Sequence, residues 1–287
     1  MLLVSVIKKY LDYVEVSLSN GTYRFDLSHS NCLIDSFQLI SLRKVKELSR
    51  QKIYDLYYLW KNRGVCESTI NKRISLLKRI LNYSGIFIKG VSDFPTIKFK
   101  HKSFKVIPKD DLIKLIHYFN NQEDFPVGLT RKLIFYLLFY TGCRVNELIH
   151  IEILNIDLNS CSILLEHTKN GKPRIVFYDQ FLDIILKNYI DIEPQRKYLF
   201  KDYRLQNDFN INIVESVLRY ACKKLMIRRV SPHMFRHTFA TIMIENGCSL
   251  VALQYILGHS NPMQTEKYMH LGRTYLKKNF DDHKPKI

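Results

Sequence analysis

The sequence predicts a mostly α-helical protein with one small antiparallel β-sheet, built as two domains. Three observations carry that expectation. Apolar residues recur at helical spacing through most of the chain. A single stretch, around Asn170-Gly171, carries the turn signal of a β-hairpin. Across residues 90–108 the hydrophobic periodicity disappears into a polar, basic run that includes Asp93, Pro95, Lys98, Lys100, His101, Lys102 and Lys105. That run reads as a linker, so the expected division is a helical domain over residues 1–92, a linker over 93–107 and a second domain over 108–287. The chain has 287 residues, 46% of them hydrophobic, enough for both parts to bury real cores.

The first domain opens with an apolar-periodic stretch at residues 4–16, continues with a longer one at 44–60, and closes with a helix over 67–81. In that last helix Ile70, Ile74, Leu77 and Leu81 form one apolar stripe, whereas Lys72, Arg73, Lys78 and Arg79 lie largely off it. One face packs and the other is basic. The basic face is either an ordinary solvated surface or a set of cations offered to a nucleic-acid groove and backbone.

Pro108 starts the second domain. Asp110 and Asp111 suit the positive amino end of a helix whose buried side is Leu112, Ile113, Leu115 and Ile116. A second helix over 129–140 stops at Gly142, and Arg144 begins a third. Residues 161–166 and 174–178, rich in Ile, Leu, Val and aromatics, are joined by Thr168-Lys169-Asn170-Gly171-Lys172-Pro173, a hairpin with lysines beside its tip. Helical patterns follow at 181–189, 211–226, 233–246 and 250–257, each bounded by Pro, Gly or Ser.

Charge narrows the function. There are 44 basic and 27 acidic residues, a net charge of +17 and a pI near 9.5, which points to a polyanionic partner. DNA is the first candidate, with RNA or an anionic membrane behind it. The longest apolar run, residues 133–140, falls far short of the roughly 20 needed to span a bilayer. The apolar start, Met1 to Ile7, precedes Lys8 and Lys9 instead of following a basic segment, so it does not read as a secretion signal. A cytosolic protein is expected. Cys32, Cys66, Cys143, Cys161, Cys222 and Cys248 form no Cys-x-x-Cys pair and are expected to be reduced, mostly buried small hydrophobes. His233 and His237 stand four apart, but the Glu of a metalloprotease helix is missing between them and Arg236 would repel a cation, so no metal site is expected.

The chemistry concentrates in four places. Arg144 lies in Thr141-Gly142-Cys143-Arg144-Val145-Asn146-Glu147-Leu148, and Arg236 in His233-Met234-Phe235-Arg236-His237. His259 lies in Leu257-Gly258-His259-Ser260, and Tyr268 follows nine positions later in Glu266-Lys267-Tyr268-Met269-His270. Two guanidiniums can grip non-bridging phosphate oxygens in a planar fashion that lysine cannot. Imidazoles can donate to oxygens or move protons, and a tyrosine can carry a phosphoryl group covalently. Together these groups can attack a phosphodiester. Among 18 tyrosines any one is by default a packed aromatic, and Tyr255 fits the buried stripe of its helix.

Taken together, the motifs resemble those of tyrosine recombinases of the phage-integrase family, and the layout is most similar to the simple Xer-like members. The resemblance is strong over residues 108–271 and looser before that. It implies a C-shaped clamp on DNA, made of a helical core-binding domain and a tyrosine-recombinase catalytic domain. It implies Arg144 and Arg236 as a phosphate clamp, His233 assisting proton transfer at the tyrosine, His259 donating to a phosphate oxygen and Tyr268 as nucleophile. Lys169 is the implied general acid for the leaving 5′ oxygen, with Lys172 as its rival, while Glu147 orients Arg144 and His237 packs. Lys72, Arg73, Lys78 and Arg79 become DNA contacts. The expected partner is double-stranded DNA with an inverted-repeat core site, bound by a homotetramer with a dimer per site, with accessory proteins as further partners and no membrane. No cofactor, metal or ATP is expected, and the carboxy-terminal tail, residues 272–287, is expected to dock on a neighbour. Two rivals stay open: a type IB topoisomerase with the same chemistry, and a DNA-binding regulator that keeps only the fold.

Overall fold

The computed structural model describes residues 1–97, 105–168, 171–204 and 209–258. Two compact units divide the chain, Met1–Lys102 and Ser103–Ile287.

The first unit is helical: α1 (Leu3–Ser17), α2 (Asn20–Leu39), α3 (Arg50–Asn62), α4 (Glu67–Tyr83) and the short α5 (Lys89–Ser92). Ser19 and Ser49 cap α2 and α3, their hydroxyls accepting from the backbone N–H groups of Thr22 and Lys52. The core joins Leu3 and Ile7 of α1, Leu33 and Phe37 of α2, Leu56 and Trp60 of α3, and Ile70 and Leu77 of α4. The α4 stripe expected from the sequence is therefore the packed face. Helix α2 is not visible as an apolar stripe because Asp26, Ser30 and Ser36 share its buried face with Leu33 and Phe37. Asp26 is fully buried, accepts from Tyr10 Oη at 2.8 Å and pairs with Arg79 at 2.8 Å. Trp60 Nε1 donates to Ser36 Oγ at 2.8 Å. Asp26 and Ser36 are thus satisfied locally, as burial requires, whereas the buried Ser30 hydroxyl has no partner among the described residues. The expected helix over 44–60 starts late. Val45–Glu47 is a separate 3₁₀ turn, and Ser49 caps the α-helix that follows.

The second unit runs α6 (Lys109–Asn120), α7 (Val127–Thr141), α8 (Val145–Ile149), β1 (Ile156–Asp157), β2 (Ser162–Leu165), β3 (Arg174–Phe177), α9 (Leu182–Ile190), α10 (Ile211–Lys224), α11 (Pro232–Glu245) and α12 (Leu250–Leu257). Helix α7 buries Leu133 through Leu138 without interruption, which makes it the central helix of the unit. Phe119 of α6, Leu186 and Tyr189 of α9, Leu218 of α10 and Phe235 of α11 join the same core. The sheet is antiparallel in the order β1-β2-β3. Ile163 and Leu165 of β2 and Val176 of β3 point inward, the alternation a half-buried sheet needs. Leu165 pairs with Arg174, so residues 166–173 connect the strands. The hairpin tip residues Lys169 and Asn170 lie outside the described residues.

Six cysteines are free, but only Cys143 and Cys222 are buried; Cys32, Cys161 and Cys248 are half-buried and Cys66 is exposed. The expectation of mostly buried thiols is thus corrected. Cys66 occupies the N-cap position of α4, Cys161 directly precedes β2, Cys248 lies between α11 and α12, and Cys32 takes a half-buried position within α2. Among the described residues, no helix is long and apolar enough to cross a membrane.

Candidate active site

Two glycines set the geometry. Helix α7 ends at Gly142 with φ +57°, and α12 ends at Gly258 with φ +63°, the left-handed conformation that closes a helix and suits glycine. Both positions are also crowded. A Cβ on Gly142 would lie 2.5 Å from Phe239 Cδ1, and one on Gly258 would lie 2.8 Å from Arg174 Cδ. Gly142→Ala is therefore expected to destabilise the fold by roughly 1–3 kcal/mol, read as a lower urea midpoint at unchanged slope. An unchanged midpoint would show that Phe239 moves aside freely.

Immediately after Gly142 the chain turns into α8 with Arg144 at the N-cap. Glu147, three residues on, accepts from the Arg144 backbone N–H at 2.7 Å and from Arg144 Nη1 at 2.8 Å. These two bonds, both accepted by Glu147, fix the arginine at the helix start. Arg144 keeps donors to spare, since its Nε and Nη2 have no partner among the described residues. Arg236, only 4% exposed on α11, reaches back to the same turn. Its Nη1 donates to the Gly142 carbonyl at 2.9 Å, and its Nη2 donates to the Leu257 carbonyl at the end of α12. The two arginine motifs, 94 residues apart between Gly142 and Arg236, therefore meet at one point.

Glu147 also holds a residue that no motif along the chain points to. Arg174, the first residue of β3, donates from Nη1 and Nη2 to the two carboxylate oxygens, each at 2.7 Å, and from Nε to the Ile256 carbonyl at 2.8 Å. Burial is the largest influence on Glu147 and would raise its pKa. The Arg174 bonds and charge, with those of Arg144, overcome it and hold the carboxyl below the usual range. Beneath them, burial pushes the Cys143 thiol up to about 11, which keeps it protonated and unreactive.

His233 is exposed at the start of α11, directly after Pro232. His237, one turn on, is half-buried; burial, with the neighbouring His233 and Arg236, lowers its pKa to about 4, so it is neutral at physiological pH. Tyr255 corrects the sequence reading. It is 76% exposed, because Leu253 and Leu257 form the buried side of α12 and Tyr255, midway between them, faces away. Lys169, His259 and Tyr268 lie outside the described residues.

The basic residues of α4 are all engaged within the first unit. Lys72 Nζ lies 5.7 Å from the Phe25 ring centroid and the Arg73 guanidinium 5.2 Å from that of Trp60. Lys78 donates to the Phe94 carbonyl at 2.6 Å, and Arg79 pairs with Asp26. Lys72 and Arg79 are exposed, whereas Arg73 and Lys78 are half-buried. A cavity of about 850 Å³, lined by residues that include Tyr118, Arg131, Tyr203 and Arg219, contains none of these candidate residues.

Residues 105–274 match the phage integrase family, a span that takes in Arg144, Arg174, Arg236, His259 and Tyr268. The chain belongs to the phage integrase family. Its members are tyrosine recombinases, DNA strand-transferring enzymes, and this chain is one of them. It is 28% identical over 270 residues to a probable integrase/recombinase of Acholeplasma phage L2, covering 93% of each chain. It is 30% identical over 212 residues to a tyrosine recombinase of Thermosipho africanus, covering 71% of this chain and 72% of that one. The fold is similar to that of the Tn1549 transposon integrase solved in complex with transposon right end DNA. That match has a TM-score of 0.77 at 16% identity, over 99% of this chain and 100% of the other.

Proposed function

We propose that this integrase-family member is a site-specific recombinase that cuts and rejoins double-stranded DNA through Tyr268. The Tyr268 Oη attacks a phosphorus atom, a 3′-phosphotyrosyl bond forms, and the bond to the 5′ oxygen breaks. A 5′ hydroxyl from a partner strand then attacks the phosphotyrosine and releases the tyrosine. Because the phosphotyrosine retains the energy of the phosphodiester, resealing needs no nucleotide. Arg144 and Arg236 clamp the non-bridging oxygens and offset the charge of the pentacoordinate transition state. His233 assists proton transfer at the tyrosine, His259 donates to a phosphate oxygen, and Lys169 protonates the leaving 5′ oxygen. The observation that carries this reading is the meeting of the Arg144 and Arg236 motifs at the Gly142 turn.

Residues 1–92 form the core-binding domain, 93–107 the linker and 108–287 the catalytic domain. Lys72, Arg73, Lys78 and Arg79 contact DNA, their intramolecular partners pre-ordering them for it. Four protomers, a dimer per inverted-repeat site, exchange strands through a Holliday junction, which serves integration, excision or resolution. The deciding experiment is covalent capture. The full chain is incubated with a library of nicked duplexes, so that the cut fragment diffuses away, and denaturant-stable complexes are recovered. The expected product is a phosphotyrosine at residue 268 on one recurrent DNA sequence. Adducts scattered over all sequences, with supercoil relaxation, would favour the topoisomerase reading, and the absence of any adduct the regulator reading.

The general acid has its own test. Lys169→Ala is expected to slow cleavage ~10²- to 10⁴-fold and to be rescued when sulfur replaces the scissile 5′ oxygen, because a thiolate leaves without a proton. Rescue of Lys172→Ala instead would transfer the role to Lys172.

A further inference from the structure

We infer that Arg174 is a positioning residue for the cleavage step, tying the hairpin strand β3 to the Arg144 clamp and to the carboxyl end of α12. The inference rests on the recombinase reading above, and nothing in the family motifs of this chain marks Arg174. Its three bonds reach two other parts of the unit. Nη1 and Nη2 grip both oxygens of Glu147, and Nε holds the Ile256 carbonyl, two residues before Gly258 and three before His259. Glu147 in turn holds the Arg144 side chain and backbone. One carboxylate thus joins two guanidiniums, and one guanidinium joins three chain segments.

Burial separates the roles of the two arginines. The Arg174 side chain is 8% exposed against 19% for Arg144. Arg174 spends Nε and both terminal nitrogens inside the protein, whereas Arg144 spends only Nη1 on Glu147. Arg144 is the arginine with donors for a phosphate, and Arg174 is the one that sets where they point. The contact is also sterically guarded, because only a glycine at 258 leaves room for the Arg174 Cδ. Lysine cannot replace this: it offers a single nitrogen that cannot grip both carboxylate oxygens and a carbonyl on the far side.

The charges around Glu147 add a readout that mere scaffolding would not move. Arg174 from β3 and Arg144 from the α8 cap face it, and Arg236 of α11 and Cys143 belong to the same cluster. Burial favours the protonated acid, and Arg174 is the foremost group opposing it. Without the Arg174 grip the Glu147 pKa rises, so the carboxylate is lost from above as pH falls, and with it the anchor of Arg144.

The test compares wild type, Arg174→Lys, Glu147→Gln and the double variant, all as the full chain, on a nicked duplex carrying the sequence that wild type captures covalently. Single-turnover adduct formation, DNA affinity and melting midpoint are measured from pH 5 to pH 8. Arg174→Lys should lower adduct formation at least tenfold with affinity within about threefold, and should show a new loss of rate toward low pH. Glu147→Gln should be slow at every pH without that acid limb, and the double variant should be no slower than Glu147→Gln. Adduct rates equal to wild type, cleavage and binding falling together, a collapsed melting midpoint, or a pH profile unchanged in shape would each overturn the positioning role. A wild-type chain that forms no adduct would overturn the recombinase reading itself, and the two failures are told apart by that control.

Discussion

Tyr268→Phe is expected to abolish the covalent DNA adduct while leaving DNA affinity within about twofold of wild type. The substitution removes one oxygen. The ring, the arginine clamp and the surrounding charge are unchanged, so the energetic terms that hold DNA stay in place. What disappears is the atom proposed to form the phosphotyrosyl bond, and a phenyl ring offers no substitute. The check is recovery of denaturant-stable complex on the nicked duplex, with affinity measured in parallel by fluorescence anisotropy. Tyr255→Phe is the necessary companion, because Tyr255 is exposed on α12 and its hydroxyl is open to solvent. It should cleave as wild type does. An adduct that survives Tyr268→Phe and vanishes with Tyr255→Phe would reassign the nucleophile.

The sequence made much of this legible, for reasons visible residue by residue. The end of α7 was readable because Gly142 follows an unbroken apolar run, and glycine is the residue that closes a helix in the left-handed region. The strands beside Asn170-Gly171 were readable because short apolar runs, Ile163 to Leu165 and Ile175 to Tyr178, flank that turn signal. Helix α2 was not, because its inward positions are Asp26, Ser30 and Ser36 as well as Leu33 and Phe37. A periodicity search sees only apolar residues, whereas the fold satisfies Asp26 with Tyr10 and Arg79 and Ser36 with Trp60. Strand β1, two residues long, is too short to carry a pattern.

The same distinction holds in the candidate site. Arg144 and Arg236 sit in local motifs that can be read along the chain, since glycine, histidine or glutamate stand within three residues of each. Arg174 has only Gly171 so near, and with Asn170 that glycine reads as a hairpin turn. A lone arginine opening a strand looks like an edge cation, and what gives it meaning is Glu147, 27 residues away in sequence and 2.7 Å away in space. Tyr255 failed in the opposite direction. Its helix is apolar nearly all round, so the sequence could not say which side is buried, and the packing of Leu253 and Leu257 decides it.

Arg236→Lys is expected to slow cleavage by ~10²- to 10³-fold, far more than it weakens binding. The positive charge remains, and one altered contact among many to the phosphate backbone changes affinity little. The geometry does not remain. Arg236 is nearly fully buried, with Nη1 on the Gly142 carbonyl and Nη2 on the Leu257 carbonyl. These bonds fix the plane of the guanidinium between the Arg144 turn and the end of α12. A lysine nitrogen can serve one carbonyl or a phosphate oxygen, but it cannot span both carbonyls in one plane. An abandoned buried carbonyl costs about 1–3 kcal/mol, so the variant should also melt earlier than wild type. Stability and catalysis are separated by running single-turnover cleavage well below the variant's own melting midpoint. Cleavage and affinity falling by the same factor would make Arg236 a DNA-positioning contact. A cleavage defect that persists at full DNA saturation places its effect in the transition state, where the charge on the phosphorus oxygens is greatest.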